Sequence, residues 1–234
     1  LAWSSAASDV YKRQILYYPL DSWFIKVTEK RDVLTKLNES INWKPKSTGE
    51  GRFGNWLSNA NDWNLSRSRF WGIPLPIWRT EDSKETIMIG SVEELKKEII
   101  KSVSLGYMKT DPFDSFEINN MEDSNYDKID LHKNIVDDII LSSKRGQKMY
   151  REPDLIDVWF DSGSMPYAQL HYPFENREMI DQNIAFPADY IAEGVDQTRG
   201  WFYTLHAISS MVFNSISYKN VISNGLVLDK KGQK

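Results

Sequence analysis

One short run of the sequence, Ala192–Phe202, combines a carboxylate, glycines and a helix start in a pattern typical of a ligand site. A predicted strand ends at Glu193 and Gly194, and a predicted amphipathic helix, capped by Asp196, follows it. Ligands of open α/β sheets bind at the carboxyl ends of strands, opposite helix N-termini. A carboxylate at that edge suits an ammonium group or ribose hydroxyls, and Gly194 lets a ligand approach the backbone. The alternative is a capped helix with a surface glutamate.

Two tryptophans near predicted strand ends indicate an apolar pocket. Residues 155–160 are predicted to form a buried strand that leads into Asp161-Ser-Gly163, and Trp159 lies near its end. Trp201 opens the helix predicted after Gly194. With a neighbouring carboxylate, two indole rings could bind an amino acid that has an apolar side chain. Packing in the core is the alternative role for both rings.

Other motifs exclude several kinds of site. Residues 49–54 match G-x-G-x-x-G, but a dinucleotide fingerprint needs a strand directly before it. Residues 44–48 are polar and broken by proline, so we predict that residues 49–54 form a loop and not a dinucleotide site. The three histidines lack metal-ligand spacing and cysteine is absent, so we predict no metal site and no thiol nucleophile. Arg67 and Arg69 lie among aromatic residues, where ion pairing or cation–π packing is the expected role and phosphate binding the alternative.

Composition limits the protein classes further. Of the 234 residues, 41% are hydrophobic and 26% are charged, as in ordinary globular domains. The net charge of −4 excludes nucleic-acid binding through bulk positive charge, although it leaves room for a local basic patch. No apolar run approaches the ~18 residues of a membrane span, so we expect no membrane partner. The lack of cysteine suits a reducing, cytoplasmic compartment.

Alternating strands and helices must position these residues. Predicted strands cover residues 15–27, 87–89, 155–160, 190–192 and 221–228. The helix from Val92 is the clearest element, because Ser91 and Glu94 form a capping box ahead of a helical apolar repeat. Residues 111–130 are acidic and weakly patterned, which predicts a long loop or an insertion. Strands that alternate with helices predict an α/β fold with a mainly parallel sheet.

Four segments together are similar to the class I aminoacyl-tRNA synthetases, in the isoleucine-specific branch of that family. The segments are NWLSN at residues 55–59, DWNLSRSRFWG at 62–72, DVWFDSGSMPYA at 157–168 and EGVDQTRGWF at 193–202. They occur in the family's order, and the resemblance runs from about residue 15 to residue 234. A valine-specific member is expected to read TWFSSGLWPF and TGFDILFFW in the last two segments, which favours isoleucine.

The resemblance implies a fold and a reaction. The fold would be the second half of a Rossmann-like nucleotide-binding catalytic domain with a connective insertion. The parent enzyme would use ATP, with Mg²⁺, to activate L-isoleucine as isoleucyl-adenylate, and would then transfer the acyl group to tRNA(Ile) in translation. A monomeric, cytoplasmic parent is implied. Such catalysis works by positioning and by stabilising phosphate charge, so no residue is assigned as a catalytic nucleophile, acid or base.

The resemblance also implies roles for individual residues. The residues expected to line the isoleucyl-adenylate site are Glu193, Gly194, Asp196 and Gln197. Glu193 would hold the α-amino group or the adenylate itself. Trp159 and Trp201 would form the wall of the isoleucine pocket. Lys234 would begin the mobile, ATP-binding lysine loop of the family, the KMSKS loop.

The same resemblance predicts how the chain is divided. Residues 1–14 resemble translated adaptor sequence, so we expect a non-native or disordered leader. The remaining segments are the end of the editing domain (15–42), a catalytic segment (43–84), a connective insertion (85–150) and the second half of the catalytic domain (151–234). The family's HIGH motif and most of its lysine loop are missing, so the chain alone is predicted to be inactive. The alternatives are a noncatalytic α/β binding module and a valine- or leucine-specific sister enzyme.

Overall fold

The computed structural model describes residues 20–233. The predicted leader at 1–14, the first part of the strand predicted at 15–27 and the lysine-loop start at Lys234 lie outside these residues. The strands are β1 Phe24–Ile25, β2 Asn42–Lys44, β3 Trp63–Asn64, β4 Ser66–Arg67, β5 Ile77–Thr80, β6 Thr86–Met88, β7 Leu141–Ser142, β8 Lys148–Arg151, β9 Leu155–Ile156, β10 Ala188–Gly194 and β11 Tyr218–Asn224. The helices are α1 Arg31–Asn38, α2 Gly54–Ser58, α3 Val92–Ser104, α4 Asp123–Tyr126, α5 Lys133–Val136, α6 Val158–Ala168, α7 Arg177–Asp181 and α8 Trp201–Phe213. Further helical turns are a 3₁₀ turn at Val27–Lys30, a π-helical turn at Thr48–Phe53 and a 3₁₀ turn at Val195–Arg199.

A three-stranded parallel sheet carries the predicted site. Its strand order is β10-β11-β2, with Val221 opposite Trp43. Helices α1, α2 and α8 cover one face and bury a core in which the rings of Trp43 and Phe202 meet edge to face, with centroids 5.6 Å apart. On the other face, Tyr190 is 61% and Ile222 is 43% exposed. Because all three strands run the same way, their carboxyl ends share one edge of the sheet.

A four-stranded antiparallel sheet, in the order β6-β5-β8-β7, forms a second core with α3. The indole N–H of Trp78 in β5 donates to the carbonyl oxygen of Ile139 over 2.8 Å in this core. The predicted capping box of α3 is confirmed, because Ser91 Oγ accepts a hydrogen bond from the backbone N–H of Glu94 over 3.1 Å. The Glu94 carboxylate reaches back one residue further than expected and accepts from the N–H of Gly90 over 2.7 Å.

The predicted α/β fold is confirmed, but its sheets are mixed rather than mainly parallel. The pairs β1-β3 and β4-β9 and the four-stranded sheet are all antiparallel. The strand predicted at 155–160 is wrong beyond Ile156, because α6 begins at Val158. Asp157 Oδ1 accepts from the backbone N–H of Trp159 over 3.2 Å and thereby caps the helix. Trp159 therefore lies in the first turn of a helix and not at a strand edge.

The loop predicted at residues 49–54 is also wrong. Strand β2 ends at Lys44, and the glycine-rich run that follows forms the π-helical turn and leads into α2. A Cβ at Gly49 would overlap the indole ring of Trp43. Glycine at this position therefore allows the turn to pack against the core.

The other predicted elements differ mainly in their bounds. Within the described part of the strand predicted at 15–27, only Phe24–Ile25 is extended and paired. The last strand ends at Asn224 instead of continuing to residue 228. The run predicted as a loop or insertion, 111–130, contains the short helix α4. The division into editing, catalytic and connective segments stays a prediction.

Candidate functional site

The carboxyl edge of the parallel sheet presents the predicted glutamate. Strand β10 places Glu193 opposite Ser223 of β11 and ends at Gly194. The side chain of Glu193 is exposed, and within residues 20–233 no hydrogen bond or ion pair engages its carboxylate. A carboxylate in this position is available to accept hydrogen bonds from the ammonium or hydroxyl groups of a ligand.

The 3₁₀ turn at Val195–Arg199 separates β10 from α8 and changes the predicted helix cap. The sequence predicts Asp196 as the cap, but α8 begins only at Trp201, and its N-cap residue is Gly200. The side-chain oxygen of Gln197 accepts from the backbone N–H of Trp201 over 2.9 Å. Asp196 instead lies close to the end of the strand, because a Cβ at Gly194 would be 2.6 Å from its Oδ1. A side chain at position 194 would therefore displace the exposed Asp196 carboxylate.

Helices α6 and α8 approach closely at a glycine. A Cβ at Gly163 in α6 would lie 2.8 Å from Cδ1 of Ile208 in α8, so a larger residue would push the two helices apart. The indole N–H of Trp201 donates to the carbonyl oxygen of Ser162 over 2.9 Å across the same contact. The close approach brings the start of α6, which carries Trp159, beside the start of α8.

The two predicted pocket tryptophans and Gln197 meet around Gly200. A Cβ at Gly200 would be 2.5 Å from Gln197 Oε1 and 3.3 Å from Cη2 of Trp159, whose side chain is 42% exposed. The indole N–H of Trp201 is already bonded within the protein, and its partly buried ring packs against the core of the parallel sheet. No hydrogen bond within the described residues links Glu193 to this group. Sequence reasoning missed Gly200, and its position directly before a helix start was the available signal.

A buried carboxylate, Asp157, supports the start of α6. Its Oδ2 accepts from the indole N–H of Trp63 over 3.0 Å and from the guanidinium of Arg67 over 2.7 Å. The ion-pairing role expected of Arg67 is thus confirmed. One helical turn later, burial and then repulsion from Asp157 raise the pKa of Asp161. Sequence reasoning also missed Asp157, although an aspartate directly before a helix is a capping signal.

Other chemical features lie outside this site. Among residues 20–233, no group of three or more His, Asp or Glu side chains is placed to hold a metal ion. An apolar cavity of about 350 Å³ lies away from the sheet edge, with Trp78, Leu95 and Phe174 in its wall. Across the described part of the chain, every helix is too short or too polar to cross a bilayer.

A family profile agrees with the sequence resemblance. The family profile described as "tRNA synthetases class I (I, L, M and V)" matches residues 3–234. Among solved structures, a LeuRS-tRNA-LeuAMS ternary complex of Agrobacterium radiobacter K84 is similar over 74% of this chain and 21% of that chain, with 19% identity and a TM-score of 0.46.

Several curated relatives are named isoleucine–tRNA ligase. Identity is 65% over 224 residues to the protein of Bacteroides fragilis and covers 95% of this chain and 20% of the relative. Identity is 62% over 222 residues for Porphyromonas gingivalis, which covers 95% and 20%, and 46% over 220 residues for Thermus thermophilus, which covers 94% and 19%. The chain thus spans about a fifth of the length of the relatives it matches. With almost its whole length matched to one family, the chain belongs to the class I tRNA synthetases.

Proposed function

We propose that this chain is a segment of an isoleucine–tRNA ligase and carries one side of its isoleucine and adenylate pocket. The observation that carries the proposal is the close approach of Trp159 to Gly200, which directly precedes Trp201, next to the sheet edge that presents Glu193. Apolar walls beside a carboxylate that has no partner within residues 20–233 suit an amino acid that has a hydrophobic side chain and a charged amino group. The names of the relatives support isoleucine as that amino acid.

The residues at the edge have distinct roles in this proposal. Glu193 accepts hydrogen bonds from the α-amino group or the adenylate, and Gly194 allows the ligand to approach. The backbone N–H of Trp201 donates to the side-chain oxygen of Gln197 and so orients this side chain. Its NH₂ group is then free to donate to the adenylate. That NH₂ group lies 3.4 Å from Asp196 Oδ2, which supports including Asp196 in the same proposed site.

The reaction proceeds in two steps in the parent enzyme. A carboxylate oxygen of isoleucine attacks the α-phosphorus of ATP, and pyrophosphate leaves. A terminal ribose hydroxyl of tRNA(Ile) then attacks the acyl carbon, and AMP leaves. The contribution of this chain is to hold the amino acid and the adenylate in place, which is a large part of catalysis when no covalent enzyme intermediate forms. Mg²⁺ bound with ATP would neutralise phosphate charge, and Lys234 would begin the loop that contacts ATP.

The remaining features of the parent are part of the same proposal. It acts as a monomer in the cytoplasm, and this chain supplies the end of its editing domain (15–42), the catalytic segments (43–84 and 151–234) and a connective insertion (85–150). The core formed by α3 and the four-stranded antiparallel sheet supports treating residues 85–150 as part of one unit, which also takes in β5 and Trp78.

Amino-acid-dependent ATP–pyrophosphate exchange by the full-length parent tests the proposal. The assay compares isoleucine, valine and leucine at equal concentrations, and the isoleucine rate is expected to exceed both others. The discrimination already established for isoleucine-specific enzymes of this kind, about 150-fold over valine for one methylene, sets the scale. A higher rate with valine or leucine would assign the chain to a sister enzyme. Absence of exchange with all three would favour a noncatalytic binding module.

A further inference from the structure

Two exposed arginines lie over the carboxyl edge of the parallel sheet and have no acidic partner within residues 20–233. Arg52 belongs to the π-helical turn that follows β2, and Arg199 ends the 3₁₀ turn that follows β10. Strands β2 and β10 flank β11, so the two turns meet above its carboxyl end. The contact is direct, because Arg52 Nε donates to Oγ1 of Thr198 over 2.8 Å.

A tryptophan, Trp56, lies beside this arginine pair. Trp56 lies one helical turn after Arg52, and the guanidinium carbon of Arg199 lies 4.9 Å from the centroid of its indole ring. The indole N–H of Trp56 is buried and has no hydrogen-bond partner in the described part of the chain. The two guanidinium groups are exposed donors, and both carry positive charge. Such a set is chemically matched to an anion that has several oxygens.

The arginine pair and the proposed isoleucine pocket make their contacts with different helices. Arg199 leans toward α2, where Trp56 lies, whereas Trp201 is bonded to Ser162 of α6. A phosphate held by the arginines would therefore lie beside the adenylate pocket without occupying it. Transfer of the aminoacyl group to a terminal ribose requires the last phosphodiesters of the RNA strand to lie beside the adenylate pocket. The chain as a whole has a net charge of −4, so this pair of cations is a local positive patch on an acidic protein.

We propose that Arg52 and Arg199 bind a phosphate of the unpaired 3′ end of the acceptor RNA and so position its terminal ribose at the adenylate. This inference rests on the proposed function. The same guanidinium groups could recognise the phosphates of a nucleoside triphosphate, because the chemistry is shared. The RNA strand is preferred, since the pair lies outside the pocket in which the amino acid and the nucleotide must react.

The test uses the full-length parent enzyme with Arg52→Gln, Arg199→Gln and both together. Each single change is expected to raise the KM for tRNA in aminoacylation about tenfold or more, the scale of one lost charge-assisted hydrogen bond. Isoleucine-dependent ATP–pyrophosphate exchange without tRNA is expected to stay within about twofold of the wild-type value. Arg177→Gln, which changes an exposed arginine on α7 paired with Asp181, is the matched control and should alter neither assay.

Salt dependence separates phosphate binding from a structural role. The KM for tRNA of the double variant should rise less steeply with salt than that of the wild type, since two phosphate-contacting cations are lost. Arg52→Lys should restore part of the affinity. An unchanged KM for tRNA, or a lowered activity with unchanged salt dependence, would overturn the proposal. A raised KM for ATP with an unchanged KM for tRNA would assign the arginines to the triphosphate instead. If the wild-type parent shows no isoleucine-dependent exchange, the proposed function fails and not merely this inference.

Discussion

The guanidinium of Arg67 donates to the carboxylate of Asp157 over 2.7 Å and joins two segments that lie 90 residues apart in the sequence. The Asp157 side chain is 7% exposed, whereas that of Arg67 is 39% exposed. The same carboxylate also caps α6 and receives the indole N–H of Trp63. One buried group thus fixes where α6 begins and, with it, the position of Trp159.

Asp157→Ala is expected to lower the free energy of unfolding. Loss of the cap and of the two side-chain bonds should cost about 2 kcal/mol, less than for a fully buried pair because Arg67 is partly exposed to water. The measurement is the thermal unfolding midpoint of the parent enzyme. Asp130→Asn changes an exposed aspartate and is the control. An unfolding midpoint equal to that of the wild type would show that Asp157 is not a structural anchor.

Gly200→Ala is expected to damage the isoleucine pocket without unfolding the protein. The added Cβ would meet Gln197 Oε1 at 2.5 Å and Trp159 at 3.3 Å, so both side chains must move. We expect the rate of isoleucine-dependent exchange to fall about tenfold or more, because small displacements of positioning groups are costly in catalysis. Gly51→Ala is the matched control, since a Cβ there has nothing within 4 Å. Equal exchange rates in the two variants would argue against the crowding described at Gly200.

Trp159→Ala and Trp201→Ala test the wall of the pocket. Each is expected to reduce the kcat/KM for isoleucine activation more than tenfold, about 1.4 kcal/mol, because apolar surface against the side chain is lost. The control is Trp71→Ala, which removes a tryptophan that is 82% exposed and stacked on His132. The assignment of the wall fails if neither pocket variant changes isoleucine activation by more than tenfold.

Glu193→Gln separates a binding role from a structural one. Its carboxylate has no partner in the described part of the chain, so the unfolding midpoint is expected to stay unchanged. Adenylate formation is expected to fall about tenfold or more, because a charge-assisted hydrogen bond to the ligand is weakened. Near-normal adenylate formation in single-turnover assays would remove Glu193 from the site.

His206 is expected to make stability depend on pH. Burial lowers the pKa of this histidine to about 4, and its Nε2 lies 2.9 Å from the carbonyl oxygen of Leu34. The unfolded chain, with an ordinary pKa near 6.5, binds a proton that the folded chain excludes. This contribution to stability is complete above pH 6.5 and is lost as the pH falls toward 4, by about 1 kcal/mol between pH 7.5 and pH 5.5.

The pH effect is measured by comparing the unfolding midpoints of the parent and its His206→Gln variant at pH 7.5 and pH 5.5. Glutamine can still donate to Leu34 but does not titrate. The wild type should lose more stability on acidification than the variant does. Equal losses would show that His206 does not exclude the proton.

Local signals predicted only part of this fold. The start of α3 was predictable because Ser91 and Glu94 satisfy its first N–H groups within one turn. Helix α6 was not, since Val158-Trp-Phe160 has the composition of a strand and Pro166 lies inside the helix. Its state is set by the cap at Asp157 and by packing against α8, which are tertiary effects.

The candidate site shows the same division. Glu193 and Gly194 were predictable from the end of a strand, and the structure places them at the carboxyl edge. The N-cap is Gly200 and not Asp196 because a 3₁₀ turn intervenes, and no local residue preference distinguishes that turn from the first turn of an α-helix. The contact of Trp159 with Gly200 depends on how α6 and α8 pack, which a single sequence does not encode locally.

The antiparallel pairing of β4 with β9 has a consequence for evolution. It sets Ser66 directly opposite Ile156, so the two ends of the intervening segment lie side by side next to the candidate site. This segment, between β4 and β9, is an excursion of the chain away from the site. The entropy of closing such an excursion grows only logarithmically, and doubling its length costs about 0.6 kcal/mol. The residues between these strands can therefore lengthen, shorten or be exchanged for another module while Trp63 and Asp157 stay in place. Variation among descendants of one ancestral gene should concentrate in that excursion.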